Sequence, residues 1–228
     1  MRELTTDEAR TRLDVSPQHV RGLLRAGKLE GRQLSSGAWL VDEDSLERRI
    51  ALSVGRGRGW SALSSWALLA ELSGEAGLVA VSERTRARVR ERIRMYDAEE
   101  IARRVASRTN ITRYDADDQD FKAGSEMVPT GQLALDVLDT RLTFRGTTLE
   151  GYVNAASMGS FVRSNMLIPD REGSIVIYED PGYLAGREKA PPAVVAADLA
   201  RSTATRVHSA GVEALEGMRQ QWLAKHIK

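Results

Sequence analysis

The chain has no cysteine. Disulfides, cysteine–zinc sites and thiol nucleophiles are therefore excluded together, and the composition fits a reducing compartment. No apolar run comes near the ~18 residues that a membrane helix needs. The first residues, Met1-Arg2-Glu3-Leu4-Thr5-Thr6-Asp7-Glu8, lack the apolar stretch of a signal peptide. A cytoplasmic protein with no membrane partner is the expectation. An excess of one charge is missing as well: 33 Lys and Arg stand against 32 Asp and Glu, a formal net charge of +1. Bulk charge does not mark a nucleic-acid binder, so any such signal has to be local.

Catalytic signatures are also lacking. The three histidines are His19, His208 and His226, and none has a paired nucleophile in the sequence. No phosphate loop, dinucleotide fingerprint, nucleophile elbow or His-Glu-x-x-His helix occurs. The chain is expected to be no enzyme and to use no cofactor or metal. An acidic cluster holds Asp115, Asp117, Asp118 and Asp120. Asp115, Asp117, Gln119 and Glu126 fall at calcium-loop spacing, but the sixth position is Asp120 rather than glycine and no flanking helices are evident. A solvated loop, or a negative surface for a basic partner, fits better.

What remains is an ordinary globular composition, 42% hydrophobic and 29% charged over 228 residues, enough for one or two cores. The expected fold class is α+β, in three regions. The first spans residues 1–54. Residues 55–59 are a Gly/Arg linker, in which three alternating glycines make a flexible joint. Residues 60–110 read as helices, with Trp60, Leu63, Trp66, Ala67, Leu69 and Ala70 at helical spacing, then Val89, Ile93, Tyr96, Ile101 and Val105. Residues 111–228 read as a mixed α/β domain for oligomerisation or partner binding. Strand-like content falls at Gln132 to Thr140, Arg141 to Arg145, Leu149 to Val153 and Ser174 to Tyr178. One helix opens at Pro191-Pro192, and another carries Val207, Gly211, Leu215, Met218 and Trp222 on one stripe.

The first region is the most informative. Thr5 or Thr6 can cap a helix with Asp7 and Glu8 in its first turn, where the macrodipole favours negative charge. Ala9 and Leu13 give that helix its apolar face. Ser16-Pro17 is a second start signal, with Ser as cap and Pro at the first helical position. The second helix buries Val20, Leu23 and Leu24 and ends at Gly27, a left-handed C-terminal cap. Two helices joined by so short a turn form a helix-turn-helix unit. The outward face of the second helix offers Gln18, Arg21, Gly22 and Arg25, with His19 at its border. Gln suits adenine edges and Arg suits guanine. The Ser16 hydroxyl and the free N–H groups beside it suit a phosphate. Leu29 to Leu34 and Ala38 to Val41 then read as a hairpin wing around Ser35-Ser36-Gly37, with Trp39 in the core. Lys28, Arg32 and Gln33 are placed to reach the DNA backbone. Asp42 to Asp44 cap a third helix with Leu46 and Ile50 inward. From Ser16 to Ser35 four basic residues stand against Glu30 alone. A helical hairpin used for protein contact, its arginines a solvated face, is the competing reading.

Leu4-Thr5-Thr6-Asp7-Glu8-Ala9, Val15-Ser16-Pro17-Gln18-His19-Val20, Leu24-Arg25-Ala26-Gly27-Lys28-Leu29 and Trp39-Leu40-Val41-Asp42 resemble the winged helix-turn-helix of the excisionase and MerR superfamily. The resemblance implies binding of double-stranded DNA. Further on, Trp60 to Leu69, Leu149-Glu150-Gly151-Tyr152-Val153, Ile175-Val176-Ile177-Tyr178-Glu179, Ala193 to Ala200 and Ala210-Gly211 resemble, in that order, actinobacterial regulators related to the AbiEi antitoxins of type IV toxin–antitoxin systems. That resemblance implies an autorepressing antitoxin, with a C-terminal domain that supports a homodimer or opposes a nucleotidyltransferase-like toxin. The alternatives are an excisionase-like architectural factor, or an interaction protein that neutralises a nucleotidyltransferase-like toxin by direct contact. Arg84, Arg86, Arg88, Arg90, Arg92 and Arg94 alternate along a run that continues to Arg103, Arg104 and Arg108. Both a phosphate- or RNA-tracking surface and a solvated face paired with acidic groups elsewhere fit this run.

Overall fold

The computed structural model describes residues 3–13, 15–25, 27, 29–53, 59–116, 124, 126–143 and 148–226. The chain divides into two compact units, Met1–Gly57 and Arg58–Lys228. Both mix helices and sheet, so the fold class is α+β. The expected Gly/Arg linker falls, except for Gly59, outside the described residues.

The first unit runs β1 (Glu3–Thr5), α1 (Thr6–Leu13), α2 (Pro17–Arg25), β2 (Gly31–Gln33), β3 (Trp39–Asp42) and α3 (Glu43–Ser53). Thr5 is the residue that caps α1. Its hydroxyl accepts from the Glu8 amide at 3.2 Å, and its own amide donates to the Glu8 carboxylate at 2.7 Å. This reciprocal arrangement satisfies two of the free donors at the start of the helix. The strand β1 was not evident in the sequence. It pairs antiparallel with β3, which also takes β2, in the order β1-β3-β2. Asp42 caps α3 through the Ser45 amide at 2.7 Å. A small core of Leu4, Ala9, Val20, Leu23, Leu24, Leu29, Val41 and Leu46 joins the elements, with Leu13, Val15 and Trp39 packed on it.

The second unit begins with α4 (Ala62–Leu72), α5 (Glu83–Met95) and α6 (Ala98–Val105). The elements β4 (Ile111–Ala116), β5 (Met127–Pro129), β6 (Leu149–Asn154), α7 (Met158–Ser164), β7 (Leu167–Pro169) and β8 (Ile175–Asp180) follow, and α8 (Pro192–Leu199) and α9 (Thr205–His226) come last. The sheet order is β5-β6-β8-β4-β7, with β6 and β8 parallel and the other pairs antiparallel. Strand alternation divides the apolar residues between two faces. Tyr152, Val176 and Tyr178 join the main core with Trp66, Ile93, Ile101 and the helix α8, while Val153, Ile175 and Ile177 pack with Phe161 of α7 and Leu167. Both faces are covered, so β8 reads as a continuous apolar run. The helices of residues 60–110 thus share one core with the sheet rather than standing apart from it.

Three local expectations are corrected. Gln132 to Thr140 is not a strand: Gly131–Val137 is a kinked 3₁₀ segment. Its alternating apolar residues suggested a period of two, yet Gly131 and Ala134, three apart, are the buried ones. Arg141–Thr143 has no strand either, and residues 144–147 lie outside the described set. Leu63 is 44% exposed, whereas the neighbouring Ser64 and Ser65 are buried. The helix α4 packs against α5, α6, α8 and α9, so it is enclosed nearly all round and has no single stripe.

A buried polar cluster ties the second unit together. Arg108, 2% exposed, follows α6. Its guanidinium donates to Asp198 of α8 and to the Tyr152 hydroxyl of β6, the latter at 2.8 Å. Asp198 also accepts from the Tyr152 hydroxyl at 2.9 Å and from Thr130 at 2.7 Å. Burial works against the Arg108 charge, but Asp198 and Tyr152 outweigh it and hold the proton more firmly than usual. Breaking one side of such a pair leaves an uncompensated buried charge, at roughly 3–5 kcal/mol. Asp198→Asn is expected to lower the stability of this unit by that order, read as a fall in its urea midpoint.

Glu150, beside this cluster, accepts from the Tyr178 hydroxyl at 3.4 Å. Burial, and next the charge of Asp198, push its carboxyl up to about 7 from an ordinary 4.5. The folded chain therefore binds a proton that the unfolded chain has released. Its stabilising effect is present below about 4.5 and is lost as pH rises through about 7. Glu150→Gln is expected to flatten this part of the stability profile and to gain on the wild type at pH ~8, which thermal unfolding across pH would measure.

Candidate nucleic-acid interface

A nine-residue helix such as α2 is too short to persist alone in water. Its ends and one face are therefore anchored. The Ser16 hydroxyl accepts from the His19 amide at 3.2 Å, with Pro17 at the first helical position. At the other end Gly27 has φ +64°, and the Leu29 amide returns to the Leu23 carbonyl at 3.2 Å. Val20, Leu23 and Leu24 face the core. That orientation exposes Gln18, His19, Arg21, Gly22 and Arg25.

The charges of this unit are unevenly compensated. Arg10 pairs with Asp7 at 2.9 Å. Arg12 pairs with Glu43 at 2.8 Å and with Glu47 at 2.9 Å. Arg32 grips Glu3 with two bonds, of 2.8 and 2.9 Å. Among the described residues, neither Arg21 nor Arg25 has a carboxylate partner. The face of α2 is thus where positive charge stays available.

The wing is a tight antiparallel hairpin, with Arg32 opposite Leu40 and Gln33 opposite Trp39. Gln33 donates to the Gly37 carbonyl at 3.0 Å, so its side chain braces the turn. Gly37 takes φ +83°. Ser35, Ser36, Gly37 and Ala38 are exposed, which leaves the tip without a cation. Of the eight nominated residues, Ser16, Gln18, His19, Arg21 and Arg25 thus lie on α2 or its cap. Arg32 and Gln33 already hold partners on the wing, and Lys28 lies outside the described residues. The sequence reading missed Glu3. A three-residue strand carries too little periodicity to show that it would lie in the wing sheet.

The arginine run in the second unit is largely engaged within that unit. Arg90 pairs with Glu71 at 3.0 Å, and Arg92 lies over the Trp60 ring at 4.5 Å. Arg94 lies over Trp222 at 5.3 Å and Arg104 over Tyr96 at 4.8 Å. Arg103 and Arg104 both reach Glu100, and Arg108 is buried on Asp198. Arg84 and Arg88 stay exposed with no carboxylate partner among the described residues. The ring nitrogens Nδ1 of His208 and His226 meet the carbonyls of Ala200 and Trp222, at 2.7 and 2.8 Å. Asp117, Asp118 and Asp120 lie outside the described residues. Among those described, no His, Asp or Glu group is arranged to hold a metal ion, and no helix is long and apolar enough to cross a membrane.

A family model of the helix-turn-helix domain matches residues 3–51. Residues 3–51 form a helix-turn-helix domain. The match ends with α3 and leaves the second unit uncovered. No curated protein and no solved structure matches the chain.

The packing of the wing on α2 depends on Gly31. A Cβ there would lie 2.3 Å from the Leu40 carbonyl oxygen and 2.8 Å from Leu24. Gly31→Ala is expected to destabilise the helix-turn-helix domain by about 1–3 kcal/mol. Hydrogen exchange on the full chain should show faster opening over residues 3–51 and unchanged protection in the second unit.

Proposed function

We propose that the chain is a sequence-specific, DNA-binding transcriptional regulator that places α2 in the major groove of duplex DNA. The observation that carries this reading is the exposed, uncompensated face of α2, with Gln18, Arg21 and Arg25 outward while Arg10, Arg12 and Arg32 of the same unit hold carboxylates. Arg and Gln match the donor and acceptor pattern of guanine and adenine edges. Ser16 and the amides at the start of α2 take a backbone phosphate, as helix N-termini do. His19 and Lys28 border the same surface, and Arg32 and Gln33 belong to the wing.

The second unit then serves assembly or partner binding. A homodimer on repeated half-sites is the arrangement this class of motif favours. Its resemblance to AbiEi-type regulators supports the finer reading: an autorepressing antitoxin whose second unit opposes a nucleotidyltransferase-like toxin. An excisionase-like architectural role is disfavoured by the size of this unit, because such factors are small.

Binding sites selected from a random duplex pool with the full chain provide the test. Arg21→Ala combined with Arg25→Ala is expected to weaken binding to the selected duplex by about 100-fold or more, since each bidentate base contact contributes roughly 1–3 kcal/mol. Both side chains are exposed, so the fold should persist. Wild-type affinity in the double variant would overturn the assignment of α2 as the reading helix.

A further inference from the structure

We propose that Glu3 sets the strength of DNA binding by holding Arg32 in an ion pair across the wing sheet, where its carboxylate competes with a DNA phosphate for the guanidinium. This inference rests on the DNA-binding reading above and concerns the same surface. The pair spans the whole sheet. Glu3 is on β1 opposite Asp42, Arg32 is on β2 opposite Leu40, and β3 runs between them. The guanidinium therefore reaches over the middle strand to make its two bonds, at 2.8 and 2.9 Å. This fork-on-carboxylate geometry is the one that Arg also offers to a phosphate.

Three observations make the pair a competitor rather than a structural lock. The Arg32 side chain is 62% exposed, so incoming phosphate has access to it. Pairs at such exposure contribute little to stability and exchange readily. Arg32 is also the only cation between Gly31 and Asp42. With Glu3 in place the pair carries no net charge. An exposed carboxylate is ionised at neutral pH, and the bond from Arg32 holds the Glu3 carboxyl further below its usual range. A phosphate that draws Arg32 away leaves this carboxylate exposed beside the DNA. The arginines of α2 have no such rival among the described residues, so Glu3 acts on the wing alone. Its effect is on backbone affinity, not on base choice.

The test uses the full chain and four proteins: wild type, Glu3→Gln, Arg32→Gln and the double variant. Their affinities are compared on the selected duplex and on an unrelated one, from ~50 to ~200 mM salt. Glu3→Gln is expected to tighten both complexes roughly 3–10-fold at the lower salt and to steepen the salt slope by about 0.9, the mark of one added phosphate contact. Arg32→Gln, which leaves the Glu3 carboxylate unpaired, is expected to weaken both complexes, and the double variant should bind no tighter than the wild type, because the gain needs a released Arg32. An unchanged affinity and slope for Glu3→Gln would overturn the proposal. So would a double variant that binds as tightly as Glu3→Gln alone, which would make Glu3 a simple repelling charge. The Arg21→Ala, Arg25→Ala variant separates the two readings. If it loses binding while Glu3→Gln does nothing, only this inference fails. If the wild type selects no duplex at all, both fail.

Discussion

The burial of Val20, Leu23 and Leu24 is the constraint from which the proposed interface follows. A helix of nine residues gains too little from its own hydrogen bonds to stand alone, so its apolar stripe must be covered. Leu4, Ala9, Leu29, Val41 and Leu46 cover it, drawn from α1, the wing sheet, α3 and the bend that follows α2. Once these three side chains are inward, 100° of rotation per residue leaves no freedom for the rest. Gln18, Arg21 and Arg25 are turned outward as a geometric consequence. The caps at Ser16 and Gly27 fix the ends of the same helix, which holds the outward groups to one register.

The second unit obeys a different constraint. Its sheet is covered on both faces, and a buried ion pair with two hydroxyl partners lies inside the larger core. Arg108, Asp198, Tyr152 and Thr130 come from four separate stretches of chain, and each satisfies another. Such a cluster is intolerant of partial assembly, because any missing member strands a charge or a hydroxyl away from water. It ties α8 to β6 and to the segment that follows α6. The arginines of α5 and α6 serve the same unit at its surface, through carboxylates and aromatic faces. Of the two uses the arginine run allowed, most of its members take the paired one.

Legibility varied with the range of the interaction. The two starts at Thr5 and Ser16-Pro17, the stop at Gly27 and the apolar triplet of α2 could all be read, because each is decided within a few residues. The same holds for β6, β8 and α8, whose apolar runs are long, and for the stripe of α9 with Gly211, Leu215 and Trp222 buried. Short or amphipathic pieces escaped. In β4 only Tyr114 is buried while Arg113 and Asp115 face outward, so the segment resembles a loop. Residues 131–137 misled in the opposite sense, since three-residue and two-residue periods differ by little over seven positions.

By itself the sequence determined the local grammar of the first unit: where helices start and stop, which face is apolar and which residues that face leaves outside. Those decisions rest on backbone caps and on side chains within one or two helical turns. The tertiary structure decided which charges are available. Glu3 meets Arg32 across 29 residues of chain and Asp198 meets Arg108 across 90. A charge is neutralised by its neighbour in space, and at those separations folding alone selects the neighbour.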